Sequence, residues 1–280
     1  MTWLDWVDFG LENQFNPRVA LGSEAEKWLS HWQNESIKRK NELNGKFDIK
    51  YGDHPLMSFD LHPGKNCNPV IINIHGGYWR ALDKCFMNHH LADLAEGDFG
   101  LANMNYPLCP EFTLTQIMDS LNIGIKKVVK TLDDGKRKQP IILMGHSAGA
   151  HMAMHLTHHD DLSGRLAGVI ALSGIYEPEL VLNLQVNDDV RLSEESAKRW
   201  NCLKNLPAKG PAFYIAVGGS EPPGWIDQSW IMADLLSSQG NTVEFHVCSN
   251  RNHFNLVDSL CNPTCLNGRK LHRWISDFSF

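Results

Sequence analysis

Three short motifs in the chain carry side chains that together could perform nucleophilic hydrolysis. Residues 145–149 read Gly-His-Ser-Ala-Gly, residues 75–79 read His-Gly-Gly-Tyr-Trp, and His253 lies between Asn252 and Phe254. The first matches the GxSxG pattern of a nucleophile elbow, a strained strand-to-helix turn that exposes a serine. The second matches a glycine-rich loop whose backbone N–H groups can face a developing oxyanion. These are the parts from which a serine hydrolase is built.

The context of the elbow supports this interpretation, because an apolar stretch at 141–144 precedes it and a helical pattern follows. A serine there lies at the positive end of the helix dipole. We predict that Ser147 is the nucleophile. The N–H groups of Gly76, Gly77 and Ala148 are the predicted oxyanion donors, since glycine lets the backbone approach a substrate closely.

Elbow hydrolases order their catalytic triad as serine, acid and then histidine. His246, His253 and His272 lie late enough to be the base; His246 falls inside a predicted strand, whereas His253 follows the end of that strand, so we predict His253. Glu221 lies in the turn after the preceding strand, where a triad carboxylate belongs. Asp227 is the alternative, although it falls within the following helix.

A histidine pair in the same region has the spacing of metal ligands. His151 and His155 are four residues apart and would share a helix face. Met152 occupies the position of the glutamate in the HExxH zinc motif, and no CxxC pair completes a site. The same holds for the adjacent His89 and His90. We therefore predict no metal and no cofactor, and we interpret these imidazoles as polar packing.

The elements that must position these groups alternate between short apolar strands and longer amphipathic helices. Strands are predicted at 47–51, 70–74, 141–144, 166–172, 212–217 and 243–247, and helices around 86–96, 113–131, 148–159 and 226–239. Such alternation predicts an α/β fold with a mainly parallel sheet and helices on both faces. Ligands of such sheets bind outside the carboxyl ends of the strands, which is where each motif falls.

Two segments depart from this alternation. Residues 1–45 are predicted to be helical, with an aromatic and apolar stripe at Trp28, Leu29 and Trp32. This segment either packs on the body of residues 46–280 or forms a flap that supplies aromatic walls to a pocket. Residues 174–208 are polar and contain prolines, and we expect a cap-like excursion above the strand ends.

Composition excludes several other classes of protein. The 280 residues include 26 basic and 32 acidic side chains, a net charge of −6 that argues against a nucleic-acid partner. No apolar run approaches the ~18 residues of a membrane span, and residues 1–6 do not resemble a secretory signal. Seven scattered cysteines are typical of free thiols, so we expect a cytoplasmic protein that acts on a small molecule. Edge strands or the N-terminal segment could support a homodimer.

Taken together, the motifs at 75–79, 145–151 and 252–254 resemble the arylformamidase (kynurenine formamidase) branch of the α/β-hydrolase superfamily. Weaker similarities at 16–18, 105–110, 173–176 and 218–221 extend the resemblance over nearly the whole chain. The resemblance implies the α/β-hydrolase fold, with Ser147, Glu221 and His253 as the triad. It also implies that the substrate is an N-formyl aryl amide such as N-formyl-L-kynurenine.

The chain departs from that family at two places. Asp227 stands where the family usually has arginine, and Asn201-Cys202 stands where it tends to have Ser-Pro. If the arginine holds an anionic substrate, Asp227 would repel it.

The predicted pocket walls for an aryl leaving group are Tyr78, Trp79, Trp225 and Phe254, although Trp79 and Trp225 could equally be core residues. A carboxylesterase acting on small acyl esters is the alternative function with the same triad. A catalytically inactive α/β-hydrolase that binds a ligand is a third reading, which the intact triad disfavours.

Overall fold

The computed structural model describes residues 10–65, 68–133 and 138–279. Three features of the sequence analysis lie outside these described residues. They are residues 1–6, for which no resemblance to a secretory signal was found, the first nine residues of the predicted helical segment, and Cys67. Within them, no helix is long and apolar enough to cross a bilayer.

A single sheet of eight strands forms the centre of the described part of the chain. The strands are β1 (Lys46–Lys50), β2 (Ser58–His62), β3 (Val70–Ile74), β4 (Gly100–Met104), β5 (Ile141–His146), β6 (Leu166–Leu172), β7 (Ala212–Gly218) and β8 (Val243–Cys248). Their order in the sheet is β1-β2-β4-β3-β5-β6-β7-β8. The pairs of β2 with β1 and with β4 are antiparallel, and the other five pairs are parallel. The predicted α/β fold with a mainly parallel sheet is confirmed.

Eleven α-helices accompany the sheet in the described residues. They are α1 (Leu11–Phe15), α2 (Pro17–Leu21), α3 (Ser23–Arg39), α4 (Asn88–Ala95), α5 (Leu114–Asp133), α6 (Ala148–Leu156), α7 (Asn187–Val190), α8 (Glu194–Arg199), α9 (Pro223–Ser238), α10 (Asn255–Cys261) and α11 (Leu266–Ser276). The helices α1, α2 and α3 agree with the helical N-terminal prediction. The segment 174–208 contains α7, α8 and a 3₁₀ turn at Pro178–Asn183.

Both faces of the central strands are buried, because alternate side chains enter two separate cores. Ile72 of β3 and Leu143 of β5 join the core under α5, α6 and α9. Their neighbours Ile71 and Ile142 join the core under α3, α4, α10 and α11. This two-sided burial explains why these strands read as continuous β-branched runs rather than as alternating ones.

The ends of the parallel strands bring the predicted motifs to one edge of the sheet. Residues 75–79 follow β3, Ser147 follows β5, Glu221 follows β7, and His253 follows β8. Neighbouring strands lie ~4.8 Å apart, so loops after β3 and β5 are adjacent, while β6 separates β5 from β7.

Candidate active site

Ser147 occupies a sharp turn between β5 and α6. Its φ of 56° is in the left-handed region, which is strained for a residue with a side chain. The two glycines of the motif are required by packing: a Cβ on Gly145 would lie 2.2 Å from the Gly149 carbonyl, and one on Gly149 would lie 2.0 Å from the Ile74 oxygen. The turn is therefore pressed against both its own helix and the end of β3. This is the geometry that a nucleophile elbow requires.

The loop after β3 passes directly beside the elbow. A Cβ on Gly76 would lie 2.7 Å from the His146 oxygen and 3.2 Å from the Ser147 Cβ. Gly77, Tyr78 and Trp79 follow with φ values of 106°, 52° and 57°, a run of left-handed backbone. Among the hydrogen bonds of the described residues, the Gly77 amide donates to no protein acceptor. The loop therefore presents a backbone donor beside the serine.

A buried network holds this loop in place. His75 Nε2 lies 2.9 Å from Asn105 Oδ1, and the Tyr106 hydroxyl donates to the His75 carbonyl at 2.7 Å. The rings of His75 and Tyr106 are stacked, with centroids 4.2 Å apart. Burial lowers the pKa of His75, so it serves as a neutral hydrogen-bonding group.

Glu221 and His253 meet through the loops that follow β7 and β8. His253 Nδ1 lies 2.7 Å from Glu221 Oε2. The other carboxylate oxygen, Oε1, accepts from the Gly218 amide at 2.7 Å and from the Ser173 hydroxyl. The Glu221 side chain is fully buried, so these three donors replace its hydration. Because Nδ1 bonds the carboxylate, Nε2 is the ring nitrogen that can exchange a proton.

His146, the residue before the serine, links the elbow to the His253 loop. Its Nε2 donates to the His253 backbone carbonyl at 2.8 Å, and the two rings lie 4.6 Å apart between centroids. Burial lowers the pKa of His146 well below its usual value, which keeps this imidazole neutral. His253 is therefore positioned from two sides, by Glu221 at the ring and by His146 at the backbone.

A cavity of about 60 Å³ lies over Ser147 and His253. The predicted residues Gly77, Tyr78 and Phe254 also line it. Trp79 and Trp225 do not contribute to this lining: Trp79 is buried against Tyr78 and His151, and Trp225 packs on the His253 ring with centroids 4.6 Å apart. Gly76 lies behind Ser147 rather than in the wall, and Asp227 lies in α9, outside the lining.

Several residues that surround this site were not singled out as site residues from the sequence. They are Arg18, Leu29 and Trp32 from the N-terminal helices, together with Arg80, Val186 and His146. The aromatic stripe of the N-terminal segment pointed to Leu29 and Trp32. Arg80 could have been proposed as a site residue because it comes directly after the His-Gly-Gly-Tyr-Trp motif. Ser173 could have been proposed because it comes directly after β6. Arg18 belongs to the weaker family similarity at 16–18.

The histidine pair on α6 lies beneath the site. His151 and His155 place Nε2 at 2.7 and 2.9 Å from the Trp200 carbonyl, which ties α6 to the segment 174–208. With Cys202, whose Sγ lies 3.3 Å from His155 Nε2, they form one of two described groups whose ligand atoms lie close enough to hold a metal ion. Burial raises the pKa of the Cys202 thiol, so this side chain is a protonated thiol where no cation lies beside it. A second such group comprises His31, His89 and Asp258.

The chain is similar to several known hydrolases. The BD-FAE family model matches residues 60–173, a span that contains the Gly77 loop and the elbow. A kynurenine formamidase from Danio rerio is 23% identical over 266 residues, which cover 91% of this chain and 90% of the relative. An isoprenylcysteine alpha-carbonyl methylesterase from Arabidopsis thaliana is 34% identical over 109 residues, 38% of this chain and 26% of that relative.

A solved structure, of a candidate thioesterase from a Silicibacter species, has a TM-score of 0.77 at 21% identity and covers 89% of this chain and 94% of its own. At that identity the likeness shows the fold. The resemblance to kynurenine formamidases is confirmed by the near full-length relative. The chain is a hydrolase with the α/β-hydrolase fold, related over 91% of its length to a kynurenine formamidase.

Proposed function

We propose that Ser147, His253 and Glu221 form a catalytic triad that cleaves an N-formyl aryl amide, such as N-formyl-L-kynurenine, to the arylamine and formate. The observation that carries this proposal is that Ser147 and His253 meet at one cavity. His253 is hydrogen-bonded to a buried Glu221 and shares the cavity wall with Ser147, which stands on the strained elbow. This is the arrangement of nucleophile, base and orienting acid that acyl transfer needs.

In the proposed reaction, His253 Nε2 takes the proton of Ser147 as the hydroxyl oxygen attacks the formyl carbon. The Gly77 and Ala148 N–H groups donate to the tetrahedral oxyanion, and one such donor typically contributes about 3–4 kcal/mol to transition-state stabilisation. His253 then gives its proton to the nitrogen of the breaking C–N bond, which releases the arylamine. Water attacks the formyl-serine ester with His253 again as base, which releases formate and restores Ser147.

The cavity supports a short acyl group, and aromatic side chains lie in its wall. At about 60 Å³ it is far smaller than the ~300–1,000 Å³ of pockets that enclose drug-sized ligands, so the space beside Ser147 suits a formyl group. Tyr78, Trp32 and Phe254 supply aromatic surface along the wall. Asp227, which would repel an anionic substrate, is not part of the wall. We propose that the helices α1 to α3 and the cap-like segment 174–208 complete the pocket, since Leu29 and Val186 line it.

The alternative function is a carboxylesterase that acts on small acyl esters. The similarity to a methylesterase over 109 residues favours it, because the same triad and oxyanion donors serve both reactions. An ester has a better leaving group than an amide, so the two functions differ in whether the enzyme accelerates the amide reaction.

The two functions are separated by comparing kcat/KM for N-formyl-L-kynurenine and p-nitrophenyl acetate with the same purified enzyme, with the Ser147→Ala variant as the blank. A clear preference for the formamide supports the proposal. Hydrolysis of the acetate alone would retain the triad and discard the formamidase assignment. A Ser147→Ala variant with near-normal turnover would overturn the triad itself.

A further inference from the structure

We infer that Arg80 binds an anionic group on the leaving-group side of the substrate, so that the preferred substrates carry a carboxylate away from the scissile bond. The inference deepens the proposed function, on which it rests, by naming a substrate class and the residue that selects it.

The lining of the cavity is cationic in an acidic protein. The chain has a net charge of −6, yet among the described residues the lining contains two arginines, Arg18 and Arg80, and no aspartate or glutamate. A cleft of one sign focuses the electrostatic field and attracts ligands of the opposite sign. Asp189 and Glu26 pair with these arginines from outside the lining, so the positive donors, and not the carboxylates, face a ligand in the cavity.

The guanidinium of Arg80 has bonding capacity that no described residue uses. Nη1 donates to Asp189 Oδ2 at 2.8 Å, whereas Nε is buried and has no acceptor among the described residues. Because Nε is closed off from the cavity, the donor available to a ligand is the second terminal nitrogen, Nη2. It is not buried in this way and also has no acceptor among the described residues, so it can donate a charge-assisted hydrogen bond to a ligand carboxylate.

Arg80 also lies at the right place relative to the reacting atoms. Its backbone amide donates to the Gly77 carbonyl at 3.1 Å, so the side chain extends from the loop that carries the predicted oxyanion donor. The nearby acid Glu12 does not compete for the guanidinium, because Asn16 and Gln185 donate to its carboxylate oxygens.

Arg18 is the weaker candidate for the same role. Its side chain is 46% exposed and lies 3.7 Å from Glu26, so solvent screens its charge more strongly than that of Arg80, which is 27% exposed.

The test uses a pair of formamides that differ only in the carboxylate, N-formyl-L-kynurenine and N-formylkynuramine. We expect the wild-type enzyme to prefer the first. In Arg80→Gln the ratio of kcat/KM for the two substrates should fall by about 10–100-fold, mostly through KM, which is the range for losing one charge-assisted hydrogen bond. An unchanged ratio, or a wild-type enzyme without a preference, would overturn the inference.

Asp189→Asn is the matched control for a merely structural role of Arg80. If Arg80 only ties its loop to the segment 174–208 through Asp189, both variants should lower kcat/KM for both substrates alike, and the inference is wrong. If Arg80 binds the carboxylate, Asp189→Asn should retain the wild-type ratio, because it leaves the guanidinium in place.

A second pair, 3-acetoxybenzoate and its methyl ester, separates failure of this inference from failure of the proposed function. An enzyme that cleaves no formamide but prefers the free acid, and loses that preference in Arg80→Gln, would refute the formamidase proposal and support the role of Arg80. Cleavage of formamides with no carboxylate preference in either pair would support the formamidase proposal and refute the role of Arg80.

Discussion

Replacing Glu221 with Gln is expected to lower kcat by about 10³–10⁴-fold while leaving the fold intact, because the substitution should install the wrong tautomer of His253. The two side chains have nearly the same shape, so packing at this buried site changes little. What changes is that one carboxylate oxygen becomes an NH₂ group. The consequence depends on which of the two positions the NH₂ occupies.

The surroundings of Glu221 determine that position. Oε1 faces the Gly218 backbone amide at 2.7 Å, and a backbone N–H can only donate, so an NH₂ group there would leave two donors opposed. The amide oxygen of Gln must therefore take the Oε1 position, and its NH₂ must face His253 Nδ1, 2.7 Å away in the native pair. Nδ1 then becomes the acceptor, the ring proton moves to Nε2, and Nε2 can no longer accept the proton of Ser147.

A loss of 10³–10⁴-fold corresponds to about 4–5.5 kcal/mol in activation free energy at ~1.36 kcal/mol for each tenfold change. The assay is kcat for p-nitrophenyl acetate and for N-formyl-L-kynurenine across pH 6–9, with circular dichroism and Tm to confirm that the variant is folded.

Asp227→Asn is the control, since Asp227 is the other carboxylate in the sequence interval where a triad acid belongs. It should stay within a few-fold of wild type. A folded Glu221→Gln variant that retains more than a tenth of the wild-type kcat would refute the reasoning. So would a large loss in Asp227→Asn.

Three further outcomes follow from the packing and the hydrogen bonds. Gly149→Ala should lower the free energy of unfolding by more than about 3 kcal/mol, because its Cβ would lie 2.0 Å from the Ile74 oxygen. Gly164→Ala is the control, since the added methyl meets nothing within 4 Å and only a positive φ opposes it. Urea denaturation of this control should show a loss in unfolding free energy of about 1–2 kcal/mol. Burial lowers the pKa of His155 to about 4, so the unfolded chain binds more protons and the free energy of unfolding falls as the pH drops from about 6.5 to 4. His155→Gln should reduce the difference in unfolding free energy between pH 7 and pH 5 by about 2 kcal/mol. An unchanged difference would show that this imidazole is not held neutral. Ser173→Ala removes one donor to the triad carboxylate and should lower kcat/KM by about 10-fold, whereas a normal rate would show that the remaining donors suffice.

The central strands could be predicted from the sequence because β-branched runs report burial on both faces. β2 and β4 were missed because polar side chains interrupt their apolar pattern. Asp60 of β2 is buried because Lys84 donates to it at 2.7 Å, and Asn103 of β4 accepts from Asn73 at 2.9 Å. Partners from elsewhere in the chain make these polar residues compatible with the core, and a local pattern carries no record of such partners.

The candidate site also contains residues that could be predicted from the sequence and contacts that could not. Ser147, Glu221 and His253 could be proposed because each follows a recognisable strand and the chain order of an elbow hydrolase restricts the choice. The hydrogen bond from Ser173 to Glu221 and the position of Arg80 could not, because they depend on how separate loops meet above the sheet. In the N-terminal segment, Trp32 is fully buried and also lines the cavity, which is compatible both with packing on the body and with a wall for the pocket.

The cavity wall described above has a consequence for how the enzyme can change. The groups proposed to perform catalysis are anchored to strand ends in the rigid centre of the protein, whereas Leu29 and Val186 reach the cavity from helices and loops outside the sheet. Substitutions at such positions can reshape the pocket without disturbing strand pairing or the elbow. Substrate range can therefore diverge among relatives, or be redirected by directed evolution, while the hydrolytic chemistry stays constant.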